Sequence, residues 1–393
     1  MQDNEKKPAL RFKGFTDPWE QRKLGDLCVE FRSGEFISAS DITETGEYPV
    51  FGGNGLRGFT DRFNHDGEYT LIGRQGALCG NVNFAVGKSY FTEHAIAVRA
   101  DKKNQTRFLY YLFSTMDLGQ YSGQSAQPGL AVGNLVELKS TLPDKQEQEK
   151  ISGVLTALDT LITLHQRKYE KLMNIKKSML DKMFPKNGAS VPEIRFKGFT
   201  DPWEQRKLGE ICDFITKGAT PTTYGFSWQP DGVPFFRNDS IKDNVFVFGE
   251  FSYISEAANE VLKRSEVHGN DILIAITGDI GKVGIIPDTV EKANINQHIA
   301  RVRIRKEALP YFVYQYLASD DTQKEYQKIK TGLSMPQLSL EQVRDIVVKI
   351  PEFNEQGKIA DCLRRIDTLI TLHQRKLEKL QNIKKSCLEK MFV

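Results

Sequence analysis

The chain has 393 residues, of which 39% are hydrophobic and 27% are charged, the ordinary balance of a globular protein. At about 100–200 residues per domain, this length predicts two or three domains. The net charge of +3 does not by itself indicate a nucleic-acid partner, no run approaches the ~18–20 apolar residues of a membrane span, and the five cysteines contain no CxxC pair, which argues against a zinc ribbon or a disulfide framework.

The first part of the chain is polar and then contains a segment that recurs later. Residues 1–7 carry both signs of charge and no apolar segment follows them, so we predict no signal peptide and expect a cytoplasmic protein. Residues 11–25 read RFKGFTDPWEQRKLG, and residues 195–209 read the same fifteen letters. We name these two copies the opening segments. Their tryptophans, Trp19 and Trp203, are expected in the core, against the ends of helices.

The residues that follow each opening segment are predicted to form a mixed α/β domain. Apolar alternation with period two predicts strands, and polar turns such as the glycine-rich segment 52–58 separate them. EHAIAVR at 93–99 and QHIARVR at 297–303 occupy matching places, so the two domains are predicted to share a fold while differing in surface. The predicted strands are 67–75, 90–100, 270–278 and 298–305, and the predicted helices are 104–120 and 307–328.

A long helix is predicted after each domain. From about Glu147 to Phe184, and again from about Glu355 to Met391, apolar residues recur at alternating steps of three and four, as in the seam of a coiled coil. Each helix would span about 55 Å at a rise of 1.5 Å per residue. Because each helix alone would expose its apolar stripe, we expect the two to pair antiparallel around a pseudo-two-fold axis. The alternative is that each helix caps only its own domain.

The spacing of the repeats predicts the organisation of the whole chain. The opening segments start 184 positions apart and the nearly identical helical stretches 159–178 and 367–386 start 208 apart, so the second domain is 24 residues longer. We therefore predict two α/β (α+β) domains of like fold joined by two long antiparallel coiled-coil helices. The predicted boundaries are 1–143 for the first domain, 144–186 for the first helix, 187–350 for the second domain and 351–393 for the second helix.

The motifs of common active sites are absent from the sequence. Gly87-Lys88-Ser89 lacks the first glycine of a nucleotide-binding loop, no GxGxxG follows a strand, and the six histidines show no metal-binding spacing. His94 and His298 occupy equivalent places within predicted strands, where a structural histidine is expected. We predict no catalytic residue and no metal site. Two alternatives stay open, an enzyme with unfamiliar motifs and a coiled-coil scaffold without affinity for DNA.

Two divergent domains, each followed by a near-identical long helix, resemble the specificity subunits of type I restriction-modification enzymes. The resemblance covers essentially the whole chain, and it is carried by the doubled WEQRKLG segment, by ICDFITKGATP at 211–221, by the GDIG turn at 278–281 and by IPEFNEQGKIA at 350–360. It implies target-recognition domains that each read one half of a split double-stranded DNA sequence, and helices that set the gap between the half-sites.

The resemblance also implies partners and a division of labour. Two methylation subunits would dock on the helices, and two restriction subunits would join them. S-adenosylmethionine, ATP and magnesium would bind to those partners, so this chain would bind no cofactor and act only as the non-catalytic subunit. No membrane partner is expected.

Polar side chains near predicted turns are the candidates for DNA contact. Arginine suits guanine, and asparagine or glutamine suits adenine, although half or more of the hydrogen bonds in protein–DNA complexes go to the backbone. Ser125 and Gln127 are weaker candidates. The DNA-binding candidates are Asn54, Arg57, Arg74 and Gln75 in the first domain, and Lys217, Thr220, Thr222, Thr223, Arg237 and Asn238, with the neighbouring Asp239, in the second.

Overall fold

The computed structural model describes residues 7–123, 129–186, 188–249, 252–332 and 336–393. The chain divides into two compact units, the first made of Met1–Arg167 with Gln374–Val393 and the second of Lys168–His373. Each unit therefore contains one domain and a part of both long helices. The domain boundaries proposed from the sequence stay predictions.

The described residues form eight α-helices, of which two are 39 residues long and the others ten or fewer. In the described part of the chain, no helix is long and apolar enough to cross a membrane. The helices are α1 (Thr106–Thr115), α2 (Val132–Glu137), α3 (Lys145–Met183), α4 (Glu256–Val261), α5 (Pro310–Leu317), α6 (Asp320–Ile329), α7 (Leu340–Asp345) and α8 (Phe353–Met391).

Among its described residues, the first unit has nine strands: β1 (Glu20–Lys23), β2 (Cys28–Ser33), β3 (Tyr48–Gly52), β4 (Gly55–Thr60), β5 (Glu68–Gly73), β6 (Val82–Val86), β7 (Tyr90–Phe91), β8 (Ala95–Ala100) and β9 (Lys139–Leu142). They form a four-stranded antiparallel sheet in the order β2-β8-β5-β6, a three-stranded sheet in the order β4-β3-β7, and a ribbon of β1 with β9. In the three-stranded sheet, β3 pairs antiparallel with β4 and parallel with β7.

The main core of the first unit lies on one face of the four-stranded sheet. Ile72 and Ile96 face this core, where they cluster with Phe108 of α1. Their neighbours Leu71 and Ala97 face a second cluster, because side chains alternate along a strand. β5 and β8 are thus covered on both faces, and consecutive residues of both strands are buried, from Tyr69 to Gly73 in β5 and from Ala95 to Val98 in β8.

The second unit repeats this topology with additions. Its described strands are β10 (Glu204–Lys207), β11 (Cys212–Lys217), β12 (Val233–Phe236), β13 (Ile241–Lys242), β14 (Val245–Phe246), β15 (Ser252–Ile254), β16 (Ile272–Ala275), β17 (Val283–Ile285), β18 (Asn294–Ile295), β19 (Ile299–Ile304) and β20 (Val347–Ile350). The four-stranded sheet has the order β11-β19-β16-β17, the three-stranded sheet has the order β15-β12-β18, the ribbon joins β10 with β20, and an extra hairpin pairs β13 with β14. The hairpin and α4 lie in the longer middle of this half.

The predicted elements are confirmed at shorter lengths. The segment 90–100 forms two strands, β7 and β8, and the segment 307–328 forms two helices, α5 and α6, that are broken at Ser319. The placement of His94 and His298 within strands was wrong. Both lie in turns just before β8 and β19, because the amides of Ala95 and Ile299 each bond back to the carbonyl three residues earlier.

Within each unit the two long helices run antiparallel, as predicted. In the first unit Lys384 Nζ of α8 lies 2.6 Å from Asp159 Oδ1 of α3, and in the second unit Lys176 Nζ of α3 lies 2.7 Å from Asp367 Oδ1 of α8. The two ion pairs join the same two positions of the repeat with the helices exchanged. The pairing therefore has the same register in both units.

Each opening segment fixes the beginning of a long helix. Arg11 donates two hydrogen bonds of 2.8 Å to Glu147 in the first turn of α3, and Arg195 does the same for Glu355 in the first turn of α8, at 2.7 and 2.8 Å. The side chains of Glu147 and Glu355 are only 1% and 0% exposed. A carboxylate buried in the first turn is favoured both by its arginine and by the positive end of the helix dipole.

The tryptophans of the opening segments hold the ends of the long helices, as the sequence predicted. Trp19 makes an edge contact with Phe392 after the end of α8, with ring centroids 6.3 Å apart, and Trp203 makes one with Phe184 after the end of α3, at 6.1 Å. All four side chains are buried. The last residues of the chain thus belong to the core of the first unit.

Candidate nucleic-acid interface

Four chain segments meet at one end of the sheets in the first unit. The amide of Arg74, directly after β5, donates to the carbonyl of His94 in the β7–β8 turn at 2.9 Å, and the amide of Gly34, after β2, donates to Ala95 at 2.9 Å. A Cβ atom on Gly53, in the β3–β4 turn, would lie 2.8 Å from the carbonyl oxygen of His94, so a side chain there would collide. We name this meeting point the first corner.

The structure brings the four candidates of the first domain to the first corner. Asn54 is exposed in the β3–β4 turn. Gln75 is also exposed, and its backbone forms an isolated β-bridge with Gly129. Arg74 is half-buried at the end of β5, and Arg57 projects from β4 with its aliphatic part against Gly52. Ser125 and Gln127 lie outside the described residues.

The equivalent segments meet in the second unit and form the second corner. The amide of Ile276, after β16, donates to the carbonyl of His298 at 2.9 Å, the counterpart of the Arg74–His94 bond. Asn238, after β12, occupies the place of Gly53 and donates from Nδ2 to the carbonyl of Thr277 at 2.8 Å. Its Oδ1 atom is buried and has no hydrogen-bond partner among the described residues.

Side chains at the second corner form a connected polar chain. Thr220 Oγ1 donates to Gln297 Oε1, the amide nitrogen of Gln297 lies 3.0 Å from His298 Nε2, and His298 Nδ1 bonds Thr277 Oγ1. Because the glutamine amide donates to Nε2, the ring carries its proton on Nδ1 and donates it to Thr277. Both ring nitrogens of His298 are therefore used.

The remaining candidates of the second domain surround this corner. Arg237 is exposed, and it is oriented by a 2.7 Å hydrogen bond to Ser252 and by the ring of Trp228, whose centroid lies 4.8 Å from the guanidinium carbon. Lys217 is exposed at the end of β11. The structure does not join the exposed Thr222, Thr223 and Asp239 to the polar chain; the two threonines lie on the 3-10 helix Pro221–Tyr224, and the aspartate on Asn238–Ser240.

Sequence reasoning missed Glu93, Thr277 and Gln297. The matching of EHAIAVR with QHIARVR aligned Glu93 with Gln297, and that difference between two otherwise similar segments was the signal that could have selected them. Thr277 could not be selected from the sequence, because it is singled out only by its hydrogen bonds with His298 and Asn238. Neither residue is near Thr277 in the sequence.

A buried histidine of the first unit, His65, contacts residues of β2 and β7. The ring of His65 stacks on Phe91 with centroids 4.5 Å apart, and its nitrogens lie 2.7 Å from Asn64 Oδ1 and 3.1 Å from Glu30 Oε1. Burial lowers the pKa of His65 below its usual 6.5, although the Glu30 carboxylate opposes that change. In the described ranges, no three His, Cys, Asp or Glu side chains gather as metal ligands would.

Residues 16–174 and 200–382 match the family model of the type I restriction modification DNA specificity domain. The chain belongs to this family. The two matched segments correspond to the two halves of the internal repeat, so the specificity domain occurs twice, and the chain is a specificity subunit of a type I restriction-modification system.

Similar proteins carry the same description. The specificity subunit of the type I restriction enzyme EcoprrI from Escherichia coli is 44% identical over 156 residues, which is 39% of this chain and 39% of that protein. The MjaVIII specificity subunit from Methanocaldococcus jannaschii is 24% identical over 391 residues, with 94% of this chain and 91% of that protein covered.

The fold is also found among solved structures. The S subunit of a type I restriction-modification system from M. genitalium superposes with a TM-score of 0.70 at 18% identity, covering 98% of this chain and 99% of that one. A chain from a structure of a type I system, described for its complex assembly and conformational transition, gives a TM-score of 0.50 at 16% identity over 96% of this chain and 99% of that one.

Proposed function

We propose that each unit reads one half of a bipartite double-stranded DNA sequence through its corner. One observation carries this proposal. The two corners share a backbone, as the paired bonds Arg74–His94 and Ile276–His298 show, but they present different polar side chains. A reader of two different half-sites needs this combination, because the major groove offers a distinct pattern of donors and acceptors at every base pair.

Arginine placement at the two corners supports the same role. Arg237 belongs to the second corner, and its counterpart in the first domain is Gly52, over which the side chain of Arg57 lies. Each domain therefore places a guanidinium group in the same region, from β4 in the first domain and from the residue after β12 in the second. An arginine suits both guanine and phosphate, and contact with DNA by the ten candidate residues remains a proposal.

The long helices would set the gap between half-sites and dock two methylation subunits. At 39 residues, each helix is about 58 Å long. Apolar side chains stay at least 39% exposed on both helices, at matching positions of the repeat: Leu161, Leu164 and Ile175 on α3, and Leu369, Leu372 and Ile383 on α8. Exposed apolar residues at helical spacing are suited to a helical partner that binds the same way twice.

In this proposal the chain carries out no chemistry. The methylation subunits would bind S-adenosylmethionine and modify a flipped adenine, and two restriction subunits would use ATP and magnesium. The purified chain with magnesium, ATP and S-adenosylmethionine is then expected to leave DNA uncut and unmethylated. Activity of the chain alone would favour the alternative of an unrecognised enzyme.

Co-expression with the methylation subunit of the same system in an unmethylated host tests the proposal. Mapping of N6-methyladenine by long-read sequencing is expected to reveal two short half-sites separated by a fixed gap. A stable complex that leaves the genome unmethylated would contradict the proposal. Failure to form any complex would favour a coiled-coil scaffold.

A further inference from the structure

One position of the repeat holds a carboxylate in the first corner and an amide in the second. Glu93 and Gln297 each precede the histidine whose carbonyl accepts the bond from the end of β5 or β16. They therefore project from the same backbone position. Glutamate and glutamine have the same length but opposite hydrogen-bonding abilities at one terminal atom, so this exchange alters which base edge the position can bind.

Gln297 is oriented before any DNA arrives. Its Oε1 atom accepts from Thr220, and its amide nitrogen lies 3.0 Å from His298 Nε2. One N–H and one lone pair of the exposed side chain remain for a ligand. A donor beside an acceptor on one amide matches N7 and N6 of adenine, and an amide that is already fixed loses little entropy on binding.

Glu93 has an unsatisfied oxygen in the first corner. Its Oε1 atom lies 3.3 Å from His94 Nε2, whereas Oε2 has no hydrogen-bond partner among the described residues although it is buried. The position of the repeat that holds Thr220 in the second domain holds Phe36 in the first, so no hydroxyl group is available there to bond Glu93. The side chain as a whole is 33% exposed. Oε2 itself is buried, so the carboxylate must turn outward before this oxygen accepts a hydrogen bond from a ligand. A cytosine amino group can donate this hydrogen bond.

We infer that this position reads one base in each half-site, with Gln297 selecting adenine and Glu93 selecting the amino group of cytosine. The inference rests on the proposed function and makes it specific. Both residues contact base edges, and Thr220, His298 and Thr277 are positioning residues that hold the Gln297 amide. Selection at a single base pair by one such contact amounts to about a tenfold preference or more.

Reciprocal variants test the inference in the methylation complex. Glu93→Gln and Gln297→Glu are each assayed with DNA libraries in which one half-site at a time is randomised, and methylation is counted for each sequence. Glu93→Gln is expected to change one base pair of the first domain's half-site from cytosine towards adenine. Gln297→Glu is expected to make the opposite change in the other half-site.

The second half-site of each variant is an internal control, because its domain is unaltered. Glu44→Gln, which removes an exposed carboxylate away from the corner, is expected to leave both half-sites unchanged. Gln297→Ala removes the contact without adding a charge, so it is expected to relax one base pair by about tenfold even if Gln297→Glu fails to assemble.

The outcomes separate this inference from the proposed function. A wild-type complex without a bipartite motif would contradict the proposed function itself. A normal wild-type motif, together with Glu93→Gln and Gln297→Ala variants that keep every base preference of both half-sites, would overturn the inference alone. A positioning role is checked with Thr220→Val, which is expected to weaken the same adenine preference while Thr220→Ser retains it.

Discussion

His65 makes the first unit sensitive to acid. It is 4% exposed, and burial lowers the pKa of its ring below 6.5. The unfolded chain takes up a proton near pH 6.5 that the folded unit excludes, so the stability linked to this group is fully present above pH 6.5 and is lost as the pH falls. We expect the free energy of unfolding to decrease below pH 6.5 by at most about 1.4 kcal/mol per pH unit.

Denaturant unfolding between pH 5 and pH 7.5 measures this loss. His65→Gln is expected to flatten the dependence of the first unit. His268→Gln, at a site in the second unit that is 41% exposed, is expected to leave it unchanged. The explanation fails if His65→Gln keeps the full loss of stability between pH 6.5 and 5.

Two cationic residues of the second domain are expected to differ in the way they bind DNA. Lys217 is exposed at a strand end, so Lys217→Ala should weaken binding to every sequence alike and lower the salt slope by about one. Arg237 is oriented by Ser252 and Trp228, so Arg237→Ala should cost about 1–3 kcal/mol and relax one base pair. Titration of the methylation complex with matched and mismatched DNA at several salt concentrations distinguishes the two. An equal loss of affinity for all DNA sequences in Arg237→Ala would assign Arg237 to the DNA backbone.

At the scale of whole elements, the ends of the long helices stabilise different units. Phe392 packs on Trp19 and Phe108, and Phe184 packs on Trp203 and Phe312. Phe392→Ala is expected to destabilise the first unit by about 3–5 kcal/mol, and Phe184→Ala the second by a similar amount, because each leaves a cavity in a buried core. Hydrogen exchange read by mass spectrometry reports both units in one sample.

Truncation of an exposed side chain serves as the control for these two variants. Leu372→Ala, on a side chain of α8 that is 44% exposed, is expected to change stability by less than about 0.5 kcal/mol. If Phe392→Ala loosened the second unit and spared the first, the assignment of this helix end to the first core would be wrong.

The elements were predictable where a pattern repeats, whereas the side-chain connections within the corners were not. Heptad spacing and the two copies of the opening segment sufficed for α3, α8 and the buried tryptophans, because both signals lie within short windows of sequence. The corner in the second unit joins Thr220, Thr277 and Gln297 across a sheet and a turn. No local pattern contains these three residues, and only their side-chain geometry reveals that they are connected. The break at Ser319 was missed, although a serine followed by two aspartates is the pattern of a helix start.

At the scale of the whole molecule, the length of the long helices is expected to control the gap between half-sites and to leave the half-site sequences unchanged. Seven residues add two turns, about 10.5 Å, and preserve the heptad register. The test variant carries one inserted heptad after Arg167 and another after Arg375, which are equivalent positions of the repeat. Because the two insertions lie opposite each other, the antiparallel register of both ion pairs is retained. If the helical rise alone sets the gap, it should lengthen by about three base pairs at 3.4 Å each.

Methylation mapping of the double-insertion complex provides the measurement. Both half-sites are expected to stay as in the wild type, because the corners lie in the domains and not in the helices. A heptad inserted after Arg167 alone shifts one helix against the other, so Asp159 and Lys384, or Lys176 and Asp367, can no longer pair. That control is expected to lose methylation. A changed half-site with an unchanged gap in the double insertion would show that the helices do not act as the spacer.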